Sequence, residues 1–334
     1  MSLLVFSLLL LLVSPQGTTL AADHQPPVKP ILTPILKDPS TSLYTIPIKD
    51  GGAPLVLELA GPLLWSTCAP AHRTIPCISS NPLFPVSFSA FGSCAPDALL
   101  ASLPSGAAGV AGPSRLPLSL PSQVASLLKV PKRFAMCLPT SGARSGAAIF
   151  GGSPFQLLAA PPVDVAEGFF EDPHPFRFLK NPRNGAYYVR VTGIEVNNER
   201  VPLPPGTFDL HALSGTGGVM LSTVTPYTTL RSDIYRPLRR AFDAATSGIP
   251  RAAAGGLAGN ASLVQVNDRT VCFAFLEVGP ATVVPGSPAV IFGGFQMEDH
   301  LLMFDLEKEA FGFRGPLPGI RTHCGNFDFS MGSS

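Results

Sequence analysis

The sequence predicts a mainly β protein built as two lobes of related plan, and three observations carry that expectation. One pattern occurs twice, as Leu57-Glu58-Leu59-Ala60-Gly61-Pro62-Leu63-Leu64-Trp65 and as Gly217-Gly218-Val219-Met220-Leu221-Ser222-Thr223-Val224-Thr225. Each copy is followed by a short apolar element closed by glycine, Gly109-Val110-Ala111-Gly112 in the first half and Val290-Ile291-Phe292-Gly293 in the second. The composition, with 37 Pro and 32 Gly in 334 residues, disfavours long helices and suits many short strands joined by turns. A chain of this length can bury two cores.

The elements follow in order. Residues 1–22 read as a secretory leader: residues 3–13 are an apolar run broken only by Ser7, and Ala21-Ala22 stand before Asp23. That run is too short to span a bilayer, so an exported, soluble chain is expected, placed in the apoplast. Residues 43–48 and 54–59 flank Asp50-Gly51-Gly52, a hairpin signature. Residues 187–191, 194–196 and 200–203 read as strands, with a tight turn at Asn197-Asn198. Two helices are expected. Residues 121–129 place Val124, Leu127 and Leu128 on one face, and residues 232–245 start at an N-cap serine and align Tyr235, Leu238 and Phe242. The Pro/Gly-rich stretch 154–182 marks the join. A first lobe at 23–160, a linker at 161–182 and a second lobe at 183–334 follow from it.

The net charge of +1 gives no reason to expect nucleic acid or an anionic membrane as partner, and charged residues, at 13%, are about half the usual ~25%. Six cysteines, Cys68, Cys77, Cys94, Cys137, Cys272 and Cys324, are disulfide candidates in an exported chain, and fifteen pairings remain open. They form no zinc spacing, nor do His24, His72, His174, His211 and His300, so neither metal nor cofactor is expected. Asn260-Ala261-Ser262 is a glycosylation sequon. Arg231, Arg236, Arg239 and Arg240 read as the solvated face of the second helix.

The repeated pattern has the framework of an aspartic-protease active site without its chemistry. Pepsin-like enzymes read apolar-apolar-Asp-Thr/Ser-Gly at each copy, with Trp seven residues after the first Asp. Here Trp65 is in place, but Glu58 and Ser222 hold the acid positions. The reaction needs two carboxyls sharing one proton across a water. Ser222 does not ionise near neutral pH, and Glu58 carries its carboxyl one methylene further out, where a positioning error near 1 Å can cost roughly a hundredfold in rate. Ala60 and Val224 stand where Gly is usual, and a Cβ there is expected to restrict the turn that aims the acid.

With the motifs in this order, the chain resembles the plant pepsin-like proteins that lack protease activity: TAXI-type xylanase inhibitors, extracellular dermal glycoproteins and basic 7S globulins. The likeness rests on Lys37-Asp38-Pro39-Ser40-Thr41-Ser42-Leu43-Tyr44, Gly61-Pro62-Leu63-Leu64-Trp65-Ser66-Thr67-Cys68, Ser119-Leu120-Pro121-Ser122-Gln123-Val124-Ala125 and Ala148-Ile149-Phe150-Gly151-Gly152. It continues through Val219-Met220-Leu221-Ser222-Thr223, Pro226-Tyr227 and Gly293-Gly294-Phe295-Gln296-Met297-Glu298-Asp299. The resemblance implies a bilobal pepsin-like fold in which each apolar-apolar-Gly element threads the wide loop carrying the acid. It also implies that both lobes are shortened. Between Cys77 and Cys94 the family carries several dozen further residues, including the flap hairpin and extra cysteines, and a second block is missing between Pro250 and Asn260.

Family inhibitors resemble one another in blocking a family-11 xylanase with a C-terminal loop, in which a His after Leu-Pro reaches the catalytic carboxylates. The matching residues here are Leu317, Pro318 and Gly319, with Gly where the His would stand; His323 is four residues on. The resemblance therefore implies a secreted, non-catalytic partner of cell-wall-degrading glycoside hydrolases in plant defence, weakened toward xylanase. An aspartic endopeptidase and a storage or structural glycoprotein are the alternatives, the first opposed by Glu58 and Ser222.

Overall fold

The computed structural model describes residues 30–67, 74–78, 86–143, 145–152, 155–159, 161–172, 175–248, 263–267, 270–279 and 285–329. The leader, Cys68, His24, His72, His174, the sequon at Asn260 and the block 250–260 lie outside the described residues.

The first half opens with β1 (Ile31–Lys37), β2 (Tyr44–Ile46), β3 (Leu55–Leu57), β4 (Leu64–Ser66), β5 (Thr74–Ile78), β6 (Ser87–Cys94) and β7 (Gly109–Ala111). Helix α1 (Leu120–Leu128) and strands β8 (Arg133–Cys137) and β9 (Gly146–Phe150) complete it. β2 and β3 pair antiparallel across the Asp50-Gly51-Gly52 turn, whose two glycines both have positive φ, as the hairpin signature requires. Pro34 sits inside β1 because the strand there has only β9 as neighbour; β2 joins from Leu36 onward, so no second neighbour needs the missing N–H. α1 starts one residue earlier than expected and ends at Lys129 in the left-handed conformation. Its buried side is Leu120 and Val124, while Leu127, expected on that face, is exposed. Gln123 of α1 turns its amide onto the backbone of Phe91, accepting from the N–H at 2.6 Å and donating to the C=O at 2.7 Å. A side chain thus takes the place of a neighbouring strand.

Across the join run the short pair β10 (Gln156–Leu157) and β11 (Val163–Asp164), then β12 (Leu179–Lys180). This Pro/Gly-rich stretch is not bare: Phe155, Leu157, Val165, Ala166 and Phe170 are buried. The second half holds β13 (Tyr187–Val189), β14 (Glu195–Val196), β15 (Glu199–Arg200), β16 (Val219–Leu221) and β17 (Thr228–Arg231). The β14–β15 turn has Asn197 and Asn198 both at positive φ, the pairing that suits a two-residue hairpin. Then come α2 (Ser232–Ala245), β18 (Leu263–Asn267), β19 (Thr270–Phe273), β20 (Phe275–Val278), β21 (Val290–Phe292) and the short α3 (Gly294–Met297). α2 has the expected span, but Ser232 is not its cap. The Ser232 hydroxyl donates to Gly279 O, and Ile234 and Leu238 rather than Tyr235 and Phe242 form the buried stripe. Its arginines are ion-paired at the surface, Arg236 with Glu277 and Arg239 with Asp243, as a solvated face implies.

The chain then returns. β22 (Leu301–Asp305) and β23 (Ala310–Arg314) extend the first half's sheet, giving the order β23-β22-β8-β9-β1-β2-β3-β7-β4-β6-β5. The second sheet runs β12-β13-β16-β21-β17-β20. In the shared sheet the side chains alternate between two cores. Ile31, Phe134, Met136, Phe150, Leu302 and Phe304 face the one that includes Leu57, Leu59 and Leu221. Leu32, Ala135, Cys137, Ile149, Leu301 and Met303 face the other, closed by Phe155, Leu157, Val165, Ala166 and Phe170 and by Leu317, Cys324 and Phe327. Because both faces are covered, these strands read as continuous apolar runs without a polar beat. Phe134 stacks on Phe304 at 4.5 Å, and Tyr187 of the second half packs on Phe304 at 4.5 Å. The two halves therefore share the first of these cores.

Candidate functional site

Each acid loop is a wide turn between two strands with a third strand threaded between its limbs. β7 runs parallel to β3 and antiparallel to β4; β21 runs parallel to β16 and antiparallel to β17. The hydrogen bonds repeat as well: Glu58 N–H donates to Ala111 O and Ser222 N–H donates to Phe292 O, both at 3.0 Å. The glycine closing each threaded strand is dictated by contact. A Cβ on Gly112 would lie 2.3 Å from Gly61 O, and one on Gly293 would lie 2.4 Å from the Tyr227 carbonyl carbon. Ala60 and Val224, by contrast, do not take left-handed backbone, so the Cβ atoms expected to distort these turns are accommodated. Val224 packs instead with Trp65 against the cluster of Val56, Ala107 and Val110.

The two loops meet back to back through Thr223. Its hydroxyl donates to Leu57 O at 2.5 Å and accepts the Leu59 N–H at 2.9 Å, and the residue is fully buried. Leu59 occupies the matching place in the first loop and has no hydroxyl to return the contact; it is buried in the core instead. Nothing in a propensity reading singled out Thr223, though its place one residue after Ser222 was the available signal.

The structure brings the Glu58 and Ser222 loops together, and their chemistry is unequal. Glu58 is half-buried, and burial raises its carboxyl above the ordinary range. Ser222 is buried, and its Oγ accepts from Thr225 N–H at 3.3 Å and from the Thr225 hydroxyl at 3.1 Å. This hydroxyl is held within its own loop. The junction has one titratable group where proteolysis requires two.

The C-terminal residues form a separate place. Leu317 is buried against Leu157 and Phe327, on the sheet face away from the acid loops. Its N–H donates to Asp299 O at 2.9 Å, and Asp299 Oδ1 accepts the Cys324 N–H at 2.9 Å. The Cys137–Cys324 disulfide ties this segment to β8. Pro318 and Gly319 are exposed on the turn, and a Cβ on Gly319 would meet nothing within 4 Å. His323 is exposed, with Nδ1 accepting the Gly325 N–H at 3.1 Å as the cap of the last turn. Cys94 is also disulfide-bonded. Cys77 and Cys272 are free, which removes them from the disulfide candidates. Burial pushes the Cys77 thiol up to about 12, leaving it unreactive.

A buried ion pair joins the halves where sequence reasoning assigned no role. Lys37 Nζ lies 2.6 Å from Glu298 Oε1, with side chains only 9% and 6% exposed. Tyr44 O–H donates to the same oxygen at 2.6 Å. Burial raises the Glu298 carboxyl, and the Lys37 and Tyr44 hydrogen bonds oppose that rise. Arg115 makes a second bridge, donating to Asn181 O and Asn184 O at 2.6 Å each. Among the described residues no group of His, Cys, Asp and Glu is placed to hold a metal, and no helix is long and apolar enough to cross a membrane.

Comparison with known proteins places these features. The family described as "Xylanase inhibitor N-terminal" matches residues 78–152, and "Xylanase inhibitor C-terminal" matches 186–257 and 252–315. "Chitinase CLP" of Oryza sativa subsp. japonica is 35% identical over 402 positions, covering 91% of this chain and 92% of the relative. An alignment of 402 positions against 334 residues leaves at least 68 of them without a counterpart here. "Gamma conglutin 1" of Prunus dulcis is 32% identical over 72% of this chain, which spans 61% of that relative. The solved structure of conglutin gamma, a basic 7S globulin from lupine seeds, superposes with a TM-score of 0.70 at 20% identity. It covers 90% of this chain and 99% of that one, a likeness of fold alone.

Proposed function

Because this chain belongs to the xylanase-inhibitor family of pepsin-like proteins, we propose that it is a secreted, non-catalytic binding protein. Its target on this reading is a microbial glycoside hydrolase that attacks the plant cell wall, and its role is defence. One observation carries the reading: the acid loops keep their threading, hydrogen bonds and interlocking threonine, yet Glu58 faces a serine loop and not a second carboxyl. Such a frame retains the scaffold and loses proteolysis. The acid loops themselves do not offer the carboxyl pair that most glycosidases place across the bond, since of their two acid positions only Glu58 carries a carboxyl. The surface proposed for the target is the turn at Leu317, Pro318 and Gly319. There an anchored apolar residue supports an exposed tip, with His323 nearby in sequence.

The test is capture by the mature recombinant chain from a panel of purified fungal and bacterial glycoside hydrolases that includes family-11 xylanases. Saturable binding of at least one enzyme, without hydrolysis of peptide or chitin by the chain itself, is the expected result. A second reading, a storage glycoprotein, draws on the likeness to the Prunus dulcis conglutin. Accumulation in protein bodies with no binding across the panel would favour it.

A further inference from the structure

The second half carries an open cavity of about 820 Å³ that the acid loops and the C-terminal turn do not touch. Its size lies within the roughly 300–1,000 Å³ of small-molecule sites. The walls are Arg190 to Gly193 and the chain from Arg200, at the end of the β14–β15 hairpin, to Ala212. The floor is apolar, formed by Val201 and Phe208, both buried in a separate cluster of the second half with Val219, Leu230, Ile234 and Val290. Arg190, Arg200 and His211 stand at the lining, against one carboxylate, Asp209. Among the described residues neither arginine makes an ion pair with a carboxylate. Arg200 is instructive. Its cross-strand partner in the hairpin is Glu195, yet the guanidinium turns away, donates to Thr192 O and lies over Gly193 at the cavity wall.

The wall is stiff. Val201-Pro202-Leu203-Pro204-Pro205 has three fixed φ angles. Thr207 Oγ donates to Pro204 O at 2.6 Å, and Asp209 N–H donates to Gly206 O at 3.0 Å. A preformed wall spares a ligand the entropy of ordering it. Beside it, Leu213 is 95% exposed on the turn that leaves the cavity, an apolar side chain with no packing partner to explain it.

We propose that this cavity binds an amphipathic carboxylate: a small molecule with one carboxylate and an apolar aromatic or aliphatic body. The guanidinium fork fits a carboxylate in two hydrogen bonds, the apolar floor takes the body, and Asp209 offsets enough positive charge to disfavour a dianion. This inference does not rest on the proposed hydrolase target, and its assay needs no partner protein.

The test is calorimetric titration of the full-length folded chain with trans-cinnamate and decanoate, beside methyl trans-cinnamate and decanol. Each acid is expected to bind at least tenfold tighter than its neutral analogue, with that preference falling to within threefold in Arg190→Gln or Arg200→Gln. Both arginines are exposed, so the variants should fold, and circular dichroism checks that they do. Equal binding of acid and neutral analogue, a preference that survives in both variants, or no binding of any probe at millimolar concentration would each overturn the proposal.

Discussion

Thr223 and Glu58 set the properties of the junction residue by residue. Replacing Thr223 by Val strands a buried C=O and a buried N–H, each costing about 1–3 kcal/mol. The expected outcome is a clear loss in the urea midpoint for Thr223→Val and a much smaller one for Thr223→Ser. A Thr223→Ser loss larger than the Thr223→Val loss would show that the methyl group, not the hydroxyl, matters. Glu58 makes a pH statement. Its carboxyl is raised in the folded protein by burial, with no cationic partner, relative to an ordinary value of 4.5. The protonated form is therefore the one the fold prefers, and its contribution is full below 4.5 and lost as pH rises through the raised folded value. Glu58→Gln should match the natural chain in stability near pH 4 and exceed it increasingly toward neutrality. A difference independent of pH would contradict the burial. At the same residues, Glu58→Asp with Ser222→Asp should still give no peptide hydrolysis between pH 2 and 7, the flap being among the segments the resemblance finds missing. Pepstatin-sensitive turnover would refute this.

At the scale of elements, the Lys37–Glu298 pair fixes the end of β1 to the end of α3. Breaking a buried pair from one side typically costs about 3–5 kcal/mol, whereas an apolar replacement of both members is often near neutral. Lys37→Met should lose that much in chemical denaturation, and Lys37→Met with Glu298→Leu and Tyr44→Phe, which removes the hydroxyl that Glu298→Leu would strand, should recover most of it. A triple variant no better than the single would mean the pair is worth more than its geometry suggests. This contact also marks where sequence reading stops. The Asp50-Gly51-Gly52 and Asn197-Asn198 hairpins were legible because turn chemistry is local, and the span of α2 was legible although, of its expected apolar face, only Leu238 is buried. β22 was not, because Leu301-Leu302-Met303-Phe304 is buried on both faces and has no alternation. Its pairing with β8 lies more than 160 residues away in the chain. The acid loops could be found by pattern, but Thr223 reaching Leu57 and Lys37 reaching Glu298 are tertiary facts that no local signal encodes.

The whole molecule is a pepsin-like frame whose halves are joined by a shared sheet, the packing of Tyr187 on Phe304, the Thr223 hydroxyl, the Arg115 bridge and the buried Lys37–Glu298 ion pair. Its weak places are the sheet ends. β20 closes the second sheet with Leu276 50% and Val278 54% exposed, an apolar edge of the kind that invites association. Leu276→Lys with Val278→Lys should raise soluble yield and reduce light scattering on heating, with little change in the urea midpoint. Unchanged scattering would place the association elsewhere. Function, on the reading proposed, lies at the opposite kind of place, an exposed turn on a firm base: Leu317 and the Cys137–Cys324 disulfide hold it, and Gly319 puts no side chain at its own position. Losing a desolvated charge pairing costs about 2–5 kcal/mol, roughly thirty- to several-thousand-fold in affinity. A Cβ at 319 meets nothing within 4 Å, so a side chain can leave the backbone there without a clash. The most direct measurement is therefore inhibition of a family-11 xylanase by the natural chain beside Gly319→His. The account predicts weak inhibition by the natural chain and a gain of at least thirtyfold in the variant; nanomolar inhibition by the natural chain, unchanged in Gly319→His, would contradict it.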